Sequence, residues 1–169
     1  AFNAAMSYIL KRAVTGNGKE TSIDFNRALV SMGTLMPVFE GTATQYEDQM
    51  YFNWQDNSGM GNAEDTDIAM LLVYNKNKET AVYDTEAALR SGCHAVLQLP
   101  ADWQNDELIA YLSFCSADGS CVANSIRLTV TMTERMSKAT TPDNAIFIKN
   151  LIHHSFSPKG FQDRSYRSG

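Results

Sequence analysis

The feature that most constrains this chain is a series of short segments, from Gly41 onward, in which apolar and polar residues alternate. Met50, Phe52 and Trp54, for example, are separated by polar or half-polar neighbours. A β-strand turns successive side chains to opposite faces, so each segment has one face suited to a core. Gly, Asp, Asn and Pro turns join the segments without intervening helices, which favours an antiparallel β-sandwich.

Six strands are predicted in this region. They are a strand over 50–54, a central strand Ile68–Tyr74 that is apolar on both faces, an edge strand Thr80–Thr85, a strand Ala95–Leu99 that ends at Pro100, a buried strand Leu108–Cys115 and a return strand Val122–Val130. The last two are expected to form a hairpin through Ala117–Ser120, because Gly119 can supply a positive φ.

The regions on either side of the alternating segments have a different character. Apolar residues recur at helical spacing over 2–15, which predicts an amphipathic N-terminal helix. Residues 21–40 fit either period, and extended structure is favoured there. The segment Thr141-Pro142-Asp143 has residues typical of a helix N-terminus, which predicts a short helix over 144–154. The predicted organisation is therefore a helix and connecting segment over 1–40, the sandwich over 41–132 and a tail over 133–169.

Charge is distributed unevenly along the chain. Through Ile126 there are 7 Lys and Arg against 16 Asp and Glu, a net charge of −9, whereas 127–169 has 7 basic and 3 acidic residues, a net charge of +4. A basic tail beside an acidic body suits docking onto a neighbouring copy or an anionic partner, and a merely solvated extension is the alternative. As a nucleic-acid arm the tail is too sparsely charged, so nucleic acid is not expected as a partner.

Several classes of protein are disfavoured by the sequence. No run approaches the roughly 18 apolar residues of a membrane helix, so a membrane span is not expected. Three cysteines are too few for a disulfide framework and lack zinc-ligand spacing. Cys115 and Cys121 flank the hairpin turn, and both a disulfide and two free thiols stay open. The first residues lack a starting Met and a signal-peptide pattern, which suggests a longer gene product.

The alternating pattern resembles that of a fibronectin type III domain. The resemblance lies in Trp54 in an early strand, the Leu71–Tyr74 part of the central strand, and Leu97–Pro100 leading into Tyr111. It implies an immunoglobulin-like antiparallel β-sandwich, carrying here an N-terminal helix and a C-terminal extension. The spacing before Tyr111 is longer than the family's usual tyrosine-corner spacing, so that hydrogen bond is not expected.

A second resemblance is to an uncharacterised domain-of-unknown-function family from Bacteroidetes genomes. The similar segments are Ala1–Tyr8, Trp54–Gly59, Thr66–Asp67, Val73–Asn75 and Val122–Ser125. They occur in order over residues 1–126, and the resemblance implies a glycine-rich segment ahead of Ala1. Members of that family end soon after the last of these segments, so the tail departs from the pattern. The family has no assigned activity, and the resemblance implies no site residues.

The polar loop over 56–67 is the strongest candidate for a metal site. Asp56, Asp65 and Asp67 offer the hard oxygen ligands that calcium prefers. Their spacing does not match an EF-hand loop, and Asp, Asn, Ser and Gly are also ordinary turn residues. The sequence therefore predicts no cofactor, with calcium binding as the alternative.

No catalytic residue is predicted. His94, His153 and His154 are expected to be surface residues, because none of them lies in a recognisable nucleophile or metal motif. Trp103, in the loop after Pro100, is predicted to be exposed and is the main candidate contact for a ligand or partner.

These observations favour a non-enzymatic structural or adhesive interaction module within a larger assembly of like copies. The N-terminal helix and the basic tail, with Arg164 and Arg167, are the expected partner contacts. A surface appendage or phage-like particle is the favoured setting, so an extracellular, cell-surface or virion location is expected over a cytoplasmic one. The alternative is a glycan- or small-ligand-binding module that uses Trp103 and the polar loop.

Overall fold

The computed structural model describes residues 12–16 and 22–133, which form a mainly β structure. The strands are β1 (Val14–Thr15), β2 (Ser22–Ile23), β3 (Phe39–Tyr46), β4 (Gln49–Gln55), β5 (Ile68–Asn75), β6 (Thr80–Leu89), β7 (His94–Gln98), β8 (Leu108–Cys115), β9 (Ile126–Leu128) and β10 (Val130–Met132). Two short 3₁₀ turns, Arg90–Gly92 and Ala101–Trp103, lie before and after β7.

Most strands belong to two four-stranded sheets. The β4 sheet has the order β10-β3-β4-β7, and the β5 sheet has the order β6-β5-β8-β9. Neighbours are antiparallel, except that β10 runs parallel to β3. The sheet order places β5 between two neighbours and β6 at an edge, which confirms the central and edge positions predicted from the sequence.

The core lies between the two sheets and follows from the alternation. Met50 and Phe52 of β4 are fully buried, as are Leu71 and Val73 of β5 to within 2%. The Trp54 indole meets the Phe114 ring of β8 edge-on, with ring centroids 5.7 Å apart. Inward residues of both sheets thus share one apolar cluster, the layer arrangement of a β-sandwich.

The outward face of β8 is buried as well, because residues 22–35 lie across it. We call this segment the strap. The Tyr111 hydroxyl donates to the carbonyl oxygen of Phe25 at 2.9 Å, and the Ser31 hydroxyl donates to the Ser113 hydroxyl at 2.7 Å. The strap explains why β8 is buried on both faces, and its Phe25 ring also stacks on Tyr74 of β5, with ring centroids 5.5 Å apart.

The strap itself is mostly irregular. It is held beside residues 122–125 by single contacts, among them the bond from the Leu35 amide to the Val122 carbonyl at 3.0 Å. A Cβ added at Gly33 would lie 2.2 Å from that carbonyl oxygen, so only glycine fits this close approach. The extended structure favoured for 21–40 is present in β2, at the bridge from Leu35 to Ala123 and at the start of β3, and most of the described residues between them are irregular.

The predicted return strand Val122–Val130 is wrong as one continuous strand. Its middle forms β9 on the β5 sheet, and its end leaves that sheet to form β10 beside β3. The crossing brings Leu128 over Gly41, where a Cβ would lie 2.9 Å from the leucine Cδ2 atom. An alternating sequence satisfies either sheet, because both present an apolar face to the same core.

Part of the predicted N-terminal helix is also wrong. Val14 and Thr15 belong to β1, which pairs with β2, while the helix residues before Arg12 lie outside the described residues. The chain divides into two compact units, Ala1–Arg135 and Met136–Gly169, and the second, with the predicted short helix, also lies outside them. Among the described residues there is no helix of the length and apolarity needed to cross a bilayer.

Candidate functional site

The most elaborate polar arrangement among the described residues surrounds Arg90, whose side chain is fully buried. Its guanidinium donates from Nε to Asp67 Oδ2 at 3.0 Å, from Nη1 to Asn57 Oδ1 at 2.6 Å and from Nη2 to the Met36 carbonyl at 2.9 Å. The turn Arg90–Gly92 and the loop before β5 therefore meet around one cation.

The backbone of Arg90 is fixed as firmly as its side chain. Its carbonyl accepts the Trp54 Nε1 hydrogen at 2.7 Å, and its amide donates to the Asp67 carbonyl at 2.7 Å. The guanidinium carbon also lies 3.8 Å from the centroid of the Phe114 ring. A charge so placed has hydrogen bonds and a cation–π contact in place of water.

Electrostatics at this cluster are dominated by desolvation. Burial lowers the pKa of Arg90, and the Asp67 carboxylate beside it acts in the opposite direction. An arginine keeps its proton under such a shift, so the pair is a buried ion pair. With no exposed face, the guanidinium cannot reach an external ligand, and the cluster stabilises the fold.

The predicted metal ligands take part in this local structure. The Asp56 carboxylate accepts hydrogen bonds from the Ser58 hydroxyl and amide, and these bonds lower the pKa of Asp56. Asp65 contributes its carbonyl oxygen to the Ser91 amide and hydroxyl, and Asp67 holds the guanidinium. Across residues 12–16 and 22–133, no group of three His, Cys, Asp or Glu residues converges as metal ligands would.

Trp103 is not exposed, which overturns the prediction made for it. The residue ends the 3₁₀ turn Ala101–Trp103, and only 3% of it is accessible to solvent. Pro100 ends the preceding strand segment, and the turn folds the indole into the core shared by the two sheets. A side chain in that position cannot serve as a surface contact.

A second polar cluster lies at the opposite end of β5 from Arg90. Asn75 is fully buried, accepts the Asn77 and Lys78 amides at its Oδ1 and donates to Asp106 Oδ2 at 2.7 Å. The Lys78 ammonium lies 2.8 Å from Asp102 Oδ2 and 2.9 Å from Asp106 Oδ2. The Asp102 contact is the main cause that raises the pKa of Lys78. These bonds fix the loop between β5 and β6 to the one before β8.

The three cysteines are free thiols. Cys115 is paired with Val122, so Cys121 is out of register with it and packs toward the core instead. Desolvation raises the pKa of the Cys115 thiol, and the nearby Asp118 carboxylate adds to that effect. Of the two alternatives left open for this hairpin, the structure has the free thiols.

The other predicted site residues are dispersed. His94 lies on the exposed side of β7, with its Nδ1 atom 2.8 Å from the Gly92 carbonyl oxygen. His153, His154, Arg164 and Arg167 lie outside the described residues. A shallow cleft of about 520 Å³ runs between 41–44 and 126–131, and Arg127 is the one ionisable residue among those lining it.

Sequence reasoning missed Arg90. A signal was present, because Arg90 is the only Lys or Arg residue between Lys78 and Arg127 and it follows the apolar run Ala87-Ala-Leu89. A lone cation at the end of an apolar strand, in a chain whose polar loops are rich in Asp and Asn, suggests a buried pair. The partner, however, lies 23 residues away and can be identified only from the fold.

Comparison with known proteins bears on the resemblance to a family of unknown function. No curated protein matches the chain, and no solved structure matches it either. The sequence model of the Family of unknown function (DUF6266) matches residues 1–129, which is more than three quarters of the chain and includes every strand from β1 to β9. The chain therefore belongs to this family of unknown function.

Proposed function

We propose that this protein is a non-enzymatic structural or adhesive module that assembles with copies of itself. The observation that carries the proposal is the separation of charge along the chain. The described residues contain 15 Asp and Glu against 6 Lys and Arg, whereas residues 134–169 contain 6 Lys and Arg against 3 Asp and Glu. A body with net charge −9 thus precedes a tail with net charge +3.

The internal ion pairs occupy half of the basic residues of the body, so few of them are left to neutralise its other carboxylates. Three of its six basic residues, Lys76, Lys78 and Arg90, have carboxylate partners within 3.0 Å. Among the described residues, eleven carboxylates then remain against three basic side chains, those of Arg12, Arg27 and Arg127. A basic tail from a neighbouring copy supplies the missing charge, and such contacts steer association and fix its orientation.

We also infer that the fold is of the immunoglobulin-like type. In chain order, β3, β4 and β7 correspond to strands A, B and E, and β5, β6, β8 and β9 correspond to C, C′, F and G. A sheet of the order C′-C-F-G is typical of that class, which supports the inference. Domains of this kind are common building blocks of surface appendages and phage-like particles. That setting, and an origin in Bacteroidetes, belong to the proposal by analogy.

The proposal is tested by the solution mass of the intact chain, measured by light scattering in low salt. The wild-type protein is expected to form a defined oligomer. The double variant Arg164→Glu with Arg167→Glu lowers the charge of the tail by four units, and it is expected to shift the protein toward the monomer.

A charge-matched control separates the tail from net charge in general. Arg12→Glu with Arg27→Glu makes the same change of four units on exposed residues of the body. This control is expected to leave the oligomer intact, because it makes the body more acidic. If both double variants dissociate equally, or if the wild-type chain is a monomer, the tail contact is refuted.

The alternative function, a glycan- or small-ligand-binding module, has less support. It depended on an exposed Trp103 and on an open polar loop. Trp103 is buried, and the loop is engaged with Arg90. The self-assembly proposal does not require either residue.

A further inference from the structure

The outward face of the β4 sheet carries rows of polar side chains that lack the charged residue types. Cross-strand pairing aligns Thr131, Thr44, Tyr51 and Val96 in one row across all four strands. The rows on either side consist of Thr, Tyr, Gln, Asn and His residues. Among the described residues, therefore, no Asp, Glu, Lys or Arg lies within these three rows.

This absence of charge matters because the body around it is strongly acidic. Two bodies of net charge −9 repel each other wherever carboxylates face carboxylates, by about 1 kcal/mol for each pair at 4 Å in water. On the uncharged face, two copies can approach each other without that cost.

The side chains on this face are also suited to pairing with themselves. The Thr44 and Thr131 hydroxyls are 3.0 Å apart, and the Tyr51 hydroxyl donates to Gln49 Oε1 at 2.6 Å. Hydroxyl and amide groups donate and accept hydrogen bonds alike. A two-fold axis places each patch against its own copy, so a patch of such groups is complementary to itself, which a patch of one charge is not.

The size of the face indicates how strong such a contact can be. Four strands span about 19 Å and five residues span about 16 Å, which gives roughly 300 Å² per copy. A stable interface needs about 800 Å² per partner. The face alone therefore supports a weak contact, which gains strength when a second contact holds the copies together.

We propose that the uncharged outer face of the β4 sheet is a two-fold contact between two copies of this chain. This proposal rests on the self-association proposed above, but it does not require that the tail forms the contact. Because no charge takes part, the contact is expected to persist at high salt, whereas a contact between tail and body is screened.

The test is sedimentation velocity of the full chain in 0.5 M NaCl at protein concentrations up to about 1 mM, the range in which weak contacts are populated. A reversible dimer is expected. The variant Asn53→Glu with Val96→Glu adds two charges to the face, at positions exposed to solvent. It is expected to raise the dissociation constant at least about tenfold, because unpaired charges would be buried against each other.

The control is Tyr83→Glu, on the exposed edge strand β6, where 68% of the tyrosine is accessible. It adds charge outside the face and is expected to leave the dimer unchanged. A monomer at about 1 mM, or equal dissociation constants for wild type and the face variant, would overturn the proposal.

The experiment also distinguishes other occupants and other contacts. If cellohexaose shifts the side-chain amide NMR signals of Asn53 and Gln98 in a monomeric protein, the face binds neutral glycans and the proposal is wrong. If the high-salt dimer forms while the tail variants behave like wild type in low salt, the face contact stands and the tail contact fails.

Discussion

At the scale of single residues, Arg90 is the position whose loss is expected to cost most. Replacing it by Met leaves the Asp67 carboxylate and the Asn57 amide oxygen buried without their main donor. Breaking one side of a buried ion pair typically costs about 3–5 kcal/mol. We therefore expect Arg90→Met to lower the free energy of unfolding by about that amount, as measured by urea denaturation.

Two further variants make this prediction specific. Lys76→Met removes a cation from the exposed pair with Glu107 and is expected to cost less than about 1 kcal/mol. Arg90→Met combined with Asp67→Leu removes both charges and is expected to recover part of the lost stability. If Arg90→Met costs no more than Lys76→Met, the cluster does not stabilise the fold as described.

Tyr111 is expected to make stability depend on pH in the alkaline range. Burial raises the pKa of Tyr111 from 10.0 to about 12, so the folded protein holds this proton more tightly than the unfolded chain does. The contribution is fully present below pH 10 and is lost as the pH rises through about 12, by about 3 kcal/mol at most.

The measurement is chemical denaturation of wild type and Tyr111→Phe between pH 9 and 12. The variant loses the bond to Phe25, at a cost of about 1 kcal/mol, but is expected to decline less steeply above pH 10. Tyr83→Phe, at an exposed tyrosine, serves as the control and should follow wild type. Parallel curves for wild type and Tyr111→Phe would contradict the account.

The sequence predicts the burial of some apolar and aromatic residues correctly and that of others incorrectly. Met50, Phe52 and Trp54 could be assigned to the core because alternation alone determines the face of a strand. Trp103 could not, because it lies in a 3₁₀ turn, where no periodicity indicates which way a side chain points. Sequence spacing predicts orientation inside regular elements and fails at their ends.

At the scale of elements, one hydroxyl holds the middle of the strap. Ser125 Oγ accepts the Val30 amide at 2.9 Å and the Ser31 amide at 3.3 Å, and Ser125 is buried. Ser125→Ala leaves both amides without that acceptor and is expected to cost about 1–3 kcal/mol. We expect faster hydrogen exchange at these amides than in wild type, with β4 and β5 unchanged.

The control for this prediction is Ser120→Ala, at an exposed serine in the β8 hairpin. It is expected to leave exchange in the strap at the wild-type rate. Equal exchange of the Val30 and Ser31 amides in the Ser125→Ala variant and in wild type would show that the strap is held by other contacts.

The strands β4 to β8 were predicted more completely than the other strands and the connections. β8 has the bounds expected from its sequence, because turn residues mark both of its ends. The division of the return strand into β9 and β10 has no signal in the alternation, since both sheets accept the same pattern. The position of the strap could not be predicted from the sequence either, because its hydrogen-bond partners lie some 90 residues away.

Several described residues in the segments that resemble the family have structural roles. Trp54 and Asn57 bind Arg90, Asn75 fixes the loop after β5, and Ser125 holds the strap. Such residues specify a fold, and none of them is accessible enough to act on a ligand. At this scale the family resemblance is explained by architecture.

At the scale of the whole molecule, the proposed association with like copies rests on charge and surface chemistry. The acidic body, the basic tail and the uncharged face of the β4 sheet are three properties that no single strand reveals. The proposed tail contact is electrostatic and salt-sensitive, whereas the proposed face contact is not. Varying the salt concentration therefore separates the tail contact from the face contact.

The most direct measurement of the central claim is the dissociation constant of the intact chain, determined by sedimentation equilibrium from about 50 mM to about 500 mM NaCl. The account predicts an oligomer at low salt whose dissociation constant rises steeply with salt concentration. A chain that is monomeric at every salt concentration, or an oligomer whose dissociation constant does not change with salt, would contradict the claim that the basic tail docks onto the acidic body.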